Sequence, residues 1–325
     1  MRKIAVLTSG GDAPGMNAAL RAIIKTAKAN DIETYVVYEG YYGLYHGNIV
    51  KADNLDVDFY SNLGGTFIYS ARFPEFKDPQ VRQVAIDNLK QKGIEALVVI
   101  GGDGSYMGAQ LLHEAGVKTV GIPGTIDNDI ASSDFTIGYD TALNVVVEAI
   151  DRIRDTANSH KRIMVVEVMG NQCGDLALWG GFATGAEIIS TSEYTMDVDQ
   201  IVEEAYQLSL EKNRRSIMIV VSEKRYNVKE LCDKIQAKTN WETRPTTLAH
   251  TQRGGRPTAQ ERILSQLLGM KAVEFLMQDL SGIAVGIINN NIVATPILEA
   301  LNMYSPSKAK AVERAIKFNK INKVK

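Results

Sequence analysis

Short runs of apolar residues alternate with longer amphipathic stretches along almost the whole chain. The runs are rich in Val and Ile and apolar at successive positions, which is typical of strands buried on both faces of a parallel sheet. They predict strands at residues 4–8, 34–38, 96–100, 119–122, 163–168 and 216–221.

The stretches between these runs have the period of amphipathic helices. The clearest begins near Asp140 and places Leu143, Val146 and Ile150 on one face. Further helices are predicted at residues 16–29, 81–92, 199–212, 228–238 and 258–277. Regular alternation of strand and helix predicts an α/β protein, doubly wound around mostly parallel sheets.

The length of 325 residues suits two domains. No low-complexity linker divides the chain, and a boundary is expected near residues 135–140, where a long helix begins after an irregular loop. Without a linker, the chain is expected to cross between its domains more than once.

Composition and charge argue against several classes of protein. The formal net charge is only −2, so binding to nucleic acid or to a membrane surface is not expected, and an anionic ligand needs clustered Arg and Lys. No run approaches the ~20 apolar residues of a membrane span.

The run Ile4–Leu7 is too short for a signal peptide and suits a first strand. Two cysteines, Cys173 and Cys232, are too few for a disulfide framework, which favours a cytoplasmic protein.

Three loops follow predicted strands, where open parallel sheets bind their ligands. The first, Thr8–Asn17, contains Gly10, Gly11 and Gly15 and leads into a helix. Glycine lets the backbone approach a phosphate, and a helix N-terminus favours an anion. The spacing matches neither the dinucleotide-binding nor the P-loop pattern, and a tight strand-to-helix turn is an equally good explanation.

The second and third loops add carboxylates. Gly101–Ser105 combines three glycines with Asp103, which suits a nucleotide whose Mg²⁺ ion faces the carboxylate; a structural turn is the alternative. Pro123–Asp129 carries Asp127 and Asp129, a possible general base and a partner for it. An Asx-rich turn would explain the third loop if it stood alone.

Anion-binding side chains are expected elsewhere. The segment Arg244–Gly255 holds Arg244, His250 and Arg253 around a glycine pair, a combination that suits a phosphomonoester. A buried core histidine is the alternative for His250.

The ordered motifs of the chain closely resemble those of bacterial ATP-dependent 6-phosphofructokinases over nearly the whole length. The resemblance rests on TSGGDAPGMNAA, GGTFIYSARFPEF, VVIGGDGSYMGA, PGTIDNDI, IGYDTALN, IRDTANSHKR, VEVMG and HTQRGGRPTAQER. It implies transfer of a phosphoryl group from ATP to the 1-hydroxyl of fructose 6-phosphate in glycolysis, with Mg²⁺ as the metal. It also implies two Rossmann-like three-layer domains: residues 1–138 plus about 252–305 for ATP, and 139–251 plus about 306–325 for fructose 6-phosphate.

The same resemblance implies roles for particular residues. ATP would contact Gly11, Arg72, Phe73, Gly102, Asp103, Gly104, Ser105 and Gly108, with Asp103 toward the metal. Asp127 would be the base, with Thr125, Asp129 and Arg72 completing the catalytic group. The sugar phosphate would also meet Met169, Gly170, Glu223, His250 and Arg253, and in a homotetramer Arg162 and Arg244 of the neighbouring subunit.

An effector site for ADP with Mg²⁺ is implied as well, and it makes the enzyme allosteric. The matching residues are Arg21, Lys25, Arg154, Gly185, Glu187, Lys212, Arg214 and Arg215. Asn54 and Ser216 depart from the family pattern there, where Arg and His are usual, and a solvated turn is the alternative for residues 212–215.

Three further positions bear on activity. Pyrophosphate-dependent relatives carry Asp and Lys where this chain has Gly104 and Gly124, so ATP is favoured. Asn171 stands where the family has Arg, which is expected to weaken turnover or substrate affinity. The alternatives are a pyrophosphate-dependent enzyme and a catalytically silent sensor of sugar phosphate and nucleotide.

Overall fold

The computed structural model describes residues 1–303 and 310–324, which form two compact units. The first unit contains Met1–Ile126, Ile130–Thr141 and the described residues from Arg253 onward to 303. The second contains Asp127–Asp129, Ala142–Gln252 and residues 310–324. The chain crossing expected at about residue 305 lies outside the described residues.

Twelve strands are present in the described part of the chain. They are β1 (Lys3–Thr8), β2 (Glu33–Val37), β3 (Ile49–Lys51), β4 (Ala96–Gly101), β5 (Lys118–Thr125), β6 (Ile137–Gly138), β7 (Arg162–Val168), β8 (Ile188–Ser190), β9 (Ser216–Ser222), β10 (Thr243–Thr247), β11 (Ile283–Ile288) and β12 (Asn291–Pro296).

Twelve α-helices accompany them in the same described ranges. They are α1 (Met16–Ala29), α2 (Gly40–His46), α3 (Val57–Tyr60), α4 (Pro79–Gln91), α5 (Asp103–Glu114), α6 (Tyr139–His160), α7 (Asp175–Ala183), α8 (Val198–Ser209), α9 (Val228–Thr239), α10 (Ala259–Met277), α11 (Ile297–Asn302) and α12 (Ala311–Asn322). Short 3₁₀ turns occupy Ala52–Asn54, Pro74–Lys77 and Ala249–Arg253.

The sheet of the first unit has the order β12-β11-β5-β4-β1-β2-β3, with β6 paired to the end of β5. Its strands are parallel except at the two edges, where β3 and β12 run antiparallel to their neighbours. The sheet of the second unit, β10-β7-β9-β8, is parallel throughout. Mostly parallel sheets with helices on both sides confirm the α/β prediction.

Burial explains why these runs form strands. All six residues of β4 and all seven of β9 are buried, as expected for central strands covered on both faces. Local signals begin several helices: Asp78 accepts a hydrogen bond from the N–H of Gln80 at α4, and Thr258 accepts one from Glu261 at α10. No helix in the described ranges is long and apolar enough to cross a membrane.

The structure corrects the sequence-based boundaries in three places. β5 continues to Thr125, so Pro123, Gly124 and Thr125 belong to the strand and the loop begins later. Arg162 is the first residue of β7 and does not lie before it. The predicted helix 199–212 ends at Ser209. Each shift moves a candidate side chain relative to the sheet edge.

Candidate active site

Three loops of the first unit leave one edge of its sheet side by side. β4 lies between β1 and β5, with Thr8 opposite Ile100 and Gly101 opposite Pro123. The N–H of Ser9 also donates to the carbonyl of Ile100 over 2.9 Å. The loops after β1, β4 and β5 therefore converge, as the parallel arrangement predicts.

The loop after β1 is tied to the segment that precedes Arg72. Thr8 Oγ1 bonds to Thr66 Oγ1 and to the carbonyl of Tyr69, both at 2.9 Å. Ser70 Oγ donates to the carbonyl of Gly10 over 2.7 Å. These bonds hold the chain leading to the exposed Arg72 and the half-buried Phe73 against the glycine loop.

The loop after β1 is contacted by Arg253, which ends the 3₁₀ turn Ala249–Arg253 far away in sequence. Arg253 Nη1 donates to the carbonyl of Asp12 over 3.1 Å. A Cβ at position 11 would lie 2.5 Å from Arg253 Nη1, so a larger residue would displace the guanidinium group. The turn itself needs glycine at Gly10 and Gly15, whose φ values are +84° and +103°.

The loop after β4 opens to solvent on one side. α5 begins at the exposed Asp103, and a Cβ at Gly102 or Gly104 would meet no atom within 4 Å. The first N–H groups of a helix have no partner within the helix, so this open end suits an anion.

The neighbouring glycines serve packing instead. A Cβ at Gly101 would lie 2.3 Å from Ser105 Oγ, and one at Gly108 would lie 2.6 Å from Tyr41 Cζ. The Tyr41 hydroxyl donates to the carbonyl of Ser105 over 2.6 Å, which fixes the first turn of α5. Sequence analysis did not single out Tyr41, because its contact with Ser105 depends on how α2 packs.

Gly124 is enclosed. A Cβ there would lie 2.9 Å from Met16 Cε, 3.0 Å from Ile100 Cγ2 and 3.3 Å from the backbone nitrogen of Gly101. Since one of these neighbours is backbone, a Lys at this position would have to displace the strand pairing or the helix below. The space around the two glycines thus differs: a Cβ at Gly104 would meet no atom within 4 Å, whereas one at Gly124 would be crowded.

The segment after β5 carries the candidate base. Thr125 ends the strand, and its carbonyl accepts a hydrogen bond of 2.6 Å from Thr136 Oγ1. By its contacts, Asp127–Asp129 belongs to the second unit. There Asn128, with a φ of +54°, donates to Asp175 Oδ2 over 2.9 Å. Asp127 is buried, with 8% of its surface exposed.

In the second unit, a small pocket lies at the carboxyl ends of β7 and β9, where Val168 is opposite Ser222. Glu223 Oε1 accepts from the N–H groups of Gly170 and Asn171 over 3.2 and 2.8 Å. The cavity holds about 80 Å³ and is lined by Glu167, Val168, Met169, Glu223, Thr247, Ala249 and His250. His250 is exposed, so the alternative of a buried core histidine is wrong.

Gln252 was not expected from the sequence, but it anchors this pocket. Its side chain is fully buried, and its Oε1 accepts the N–H of Met169 over 2.9 Å. Burial raises the pKa of the neighbouring Glu167, opposed by a hydrogen bond from Thr247. The candidate substrate residues Met169, Gly170, Glu223 and His250 are thus brought together.

Arg162 and Arg244 are brought together at a different place in the second unit. Glu242 accepts from Arg162 Nε over 2.6 Å and from Arg244 Nη2 over 2.5 Å, and these two arginines lower its pKa. Arg162 begins β7 and Met169 follows its end, so roughly 20 Å of strand separates them. Arg162 therefore does not reach the pocket of its own chain, and the side chain of Arg244 is bound to Glu242 beside it.

The candidate effector residues fall into one cluster in each unit. Asp58 binds Arg21 Nε over 2.6 Å and Lys25 Nζ over 2.5 Å in the first unit. In the second, Glu187 binds Arg214 Nη1 over 2.7 Å and lies 3.8 Å from Arg154. The remaining positions of the second cluster follow: Gly185 has a φ of +64°, Lys212 is exposed, and Arg215 donates to the carbonyls of Asn158 and Ser159.

Comparison with known proteins gives one consistent family. The family model described as Phosphofructokinase matches residues 3–276. The ATP-dependent 6-phosphofructokinase of Mycoplasmopsis pulmonis is 56% identical over 323 residues, covering 99% of both chains. The enzyme of the same name from Bacillus cytotoxicus is 53% identical over 301 residues, or 93% of this chain and 94% of that one.

Solved structures agree. The phosphofructokinase of Saccharomyces cerevisiae matches with a TM-score of 0.87 and 35% identity over 99% of this chain, which spans 48% of that longer chain. A pyrophosphate-dependent phosphofructokinase from Marinobacter aquaeolei has a TM-score of 0.83 at 18% identity, which is a likeness of fold alone; it covers 98% of this chain and 91% of that one. The chain described here therefore belongs to the phosphofructokinase family.

Proposed function

We propose that this chain transfers the γ-phosphoryl group of ATP to the 1-hydroxyl of fructose 6-phosphate, giving fructose 1,6-bisphosphate and ADP in glycolysis. The supporting observation is 56% identity over 99% of the chain with an ATP-dependent 6-phosphofructokinase. In this proposal the first unit binds ATP, the second binds the sugar phosphate, and the protein works in the cytoplasm.

The glycines at positions 104 and 124 support ATP over pyrophosphate. The open space over Gly104 leaves room for a nucleotide, and the crowding at Gly124 excludes the Lys that would supply charge to pyrophosphate. The loop glycines Gly11 and Gly102, with Ser105, Gly108, Arg72 and Phe73, complete the proposed nucleotide site.

Asp103 is the proposed ligand of Mg²⁺. Its exposed carboxylate stands at the start of α5 between two glycines with open surroundings, which fits an ion held by one carboxylate and by nucleotide phosphates. When bound, Mg²⁺ would neutralise charge on the phosphates.

In the proposed reaction, Asp127 takes the proton of the 1-hydroxyl while that oxygen bonds to the γ-phosphorus, and the bond from this phosphorus to the leaving ADP oxygen breaks. Thr125 and Asp129 flank the base, and Arg72 stabilises charge on the moving group. Catalysis of this kind depends mainly on alignment, so the hydrogen bonds that fix each loop matter as much as the base.

In the proposed substrate site, the fructose 6-phosphate contacts Met169, Gly170, Glu223, His250 and Arg253. Since Arg162 lies far along β7 from this pocket and Arg244 is bound with it to Glu242, we propose that both serve the pocket of a neighbouring subunit in a homotetramer. ADP with Mg²⁺ is the proposed effector, bound by Arg21, Lys25, Arg154, Gly185, Glu187, Lys212, Arg214 and Arg215.

A coupled assay for fructose 1,6-bisphosphate tests the proposal, with ATP and pyrophosphate supplied in parallel. Turnover with ATP is expected, and Asp127→Ser is expected to lower it by about 10²–10⁴-fold with the fold intact. If product forms with pyrophosphate and not with ATP, the enzyme is pyrophosphate-dependent. No product with either donor would favour a silent sensor, which binding of fructose 6-phosphate by calorimetry would then detect.

A further inference from the structure

Lys224 carries a positive charge directly after Glu223, which lines the pocket in the second unit, and sequence analysis assigned it no role. Residues 169–171 follow β7 and residues 223–224 follow β9, and these two strands are parallel neighbours. Lys224 has a φ of +65°, and its Nζ donates to Asn171 Oδ1 over 3.0 Å. The ammonium group therefore lies over the loop that begins at Met169.

The charge of the pocket favours a role for such a cation in binding an anion. Two carboxylates, Glu167 and Glu223, line the cavity, and a phosphate monoester adds about −1.5 to −2 at neutral pH. Arg162 of the same chain is about 20 Å away along β7, and the side chains of Arg162 and Arg244 are both bound to Glu242. Without a local cation, a sugar phosphate would meet mainly negative charge from the second unit of its own subunit.

The partner of Lys224 is suited to this purpose. Asn171 is an amide, so its oxygen fixes the position of the ammonium group without neutralising it. Asp58 acts differently on Arg21 and Lys25, because its carboxylate offsets their charge. The backbone of Asn171 is itself fixed by Glu223, through a hydrogen bond of 2.8 Å.

We propose that Lys224 is a further substrate-binding residue, whose ammonium group contacts a phosphoryl oxygen from its position over Asn171. The ligand chemistry is that of a phosphate dianion, which either the 6-phosphate of the sugar or the phosphoryl group in transfer provides. The proposal rests on the proposed function, since it assigns a contact within the same site.

The test compares Lys224→Met, which keeps the length of the side chain, with Lys224→Arg and with Lys229→Met. Lys229 is an exposed lysine in the first turn of α9 and serves as the matched control. For Lys224→Met, kcat/KM for fructose 6-phosphate is expected to fall roughly ten- to a hundredfold, since hydrogen bonds to charged groups are the strong ones. Lys224→Arg should retain most of the activity, and Lys229→Met all of it.

The split between KM and kcat identifies the phosphate. A higher KM and weaker calorimetric binding of fructose 6-phosphate without ATP indicate the 6-phosphate, whereas a lower kcat at unchanged KM indicates the group in transfer. In the Lys224→Met background, Asn171→Arg restores a cation to this loop and should recover much of the lost kcat/KM.

Equal kinetics for Lys224→Met and Lys229→Met at low ionic strength would overturn the proposal. The unaltered protein is assayed first with ATP and fructose 6-phosphate. If it forms fructose 1,6-bisphosphate while both lysine variants behave alike, the role of Lys224 fails and the proposed function stands. If the unaltered protein forms no product, the proposed function itself fails.

Discussion

At the scale of single residues, Gly104 offers a direct test of where the nucleotide lies. A Cβ at this position meets no protein atom within 4 Å, so both Gly104→Ala and Gly104→Asp are expected to fold normally. The Asp side chain would fill the proposed nucleotide space and repel the phosphates. We expect Gly104→Asp to raise the KM for ATP by at least roughly tenfold, which corresponds to 1.4 kcal/mol.

Gly104→Ala is the matched control, with a smaller expected change in KM and an unchanged melting temperature. A Gly104→Asp variant that uses ATP as well as the unaltered protein does would place the nucleotide somewhere else.

A second residue-scale prediction concerns Glu261, which is fully buried at the start of α10. Its Oε2 accepts two hydrogen bonds from Thr141, one from the backbone N–H and one from the Oγ1 hydroxyl group, both over 3.1 Å. Burial raises its pKa from the ordinary value of 4.5 to about 7. The carboxyl group of Glu261 thus binds a proton more strongly in the folded state than in the unfolded state. The free energy of unfolding should therefore fall as the pH rises from about 4.5 to 7.

The size of that loss is roughly 3 kcal/mol, since one pKa unit corresponds to 1.36 kcal/mol. Denaturant unfolding of the unaltered protein and of Glu261→Gln, between pH 5 and pH 8, measures it. The glutamine variant should lose this downward slope. Parallel curves for the two proteins would contradict the shifted pKa.

At the scale of elements, α1 and α10 of the first unit pack closely at Gly269. A Cβ there would lie 2.7 Å from the carbonyl of Ala19 and 3.1 Å from the Cβ of Ala22. Since a backbone atom cannot move aside cheaply, Gly269→Ala is expected to destabilise the protein by about 1–3 kcal/mol. Gly104→Ala, also a helical glycine but with open surroundings, should be neutral or slightly stabilising in the same denaturation experiment.

The charges on α1 give a prediction for regulation. Asp58, which belongs to α3, offsets the charges of Arg21 and Lys25, and its pKa is lowered by its hydrogen bonds to Lys25 and Arg21. An anionic effector must compete with this internal partner. We expect Asp58→Asn to tighten binding of ADP with Mg²⁺ by roughly three- to tenfold at low salt, measured by calorimetry.

Asp279→Asn is the control, because Asp279 pairs over 2.5 Å with Lys118, which is not one of the candidate effector residues. Equal affinity in both variants would show that Arg21 and Lys25 do not bind the effector.

At the scale of the whole molecule, the proposed homotetramer predicts complementation between defective subunits. Arg244→Ala removes a residue that would act on the neighbouring pocket, and Asp127→Ser removes the base of its own pocket. Hybrid tetramers would contain some pockets with both groups intact. Co-expression of the two variants should therefore yield activity well above that of either variant alone. Co-expression of Arg162→Ala with Arg244→Ala should give no such gain, because both arginines would come from the same neighbouring subunit and no pocket would have both. Equal activity in both mixtures would contradict contribution from a neighbouring subunit.

The sequence predicted most of the elements that are long or deeply buried, although it missed β11, whose first four residues are buried. The strands at β1, β2, β4, β5, β7 and β9 and the helices at α1, α4, α6, α8, α9 and α10 were found near their predicted bounds. Short edge strands were missed, since β10 has the sequence Thr-Arg-Pro-Thr-Thr without an apolar pattern. α5 was missed because its glycines, Gly104 and Gly108, are poor helix formers, and its position depends on packing against Tyr41.

The sequence by itself determined the α/β class and the glycine loops, because local periodicity and turn chemistry specify these features, while the resemblance of its motifs to a known family implied most of the candidate residues. Only the tertiary structure revealed which charges are already paired, that Gly124 is enclosed while Gly104 is open, and that Lys224 lies over Asn171. These facts depend on contacts between segments distant in sequence. Such contacts arise from strand order and helix packing, and no local pattern encodes them.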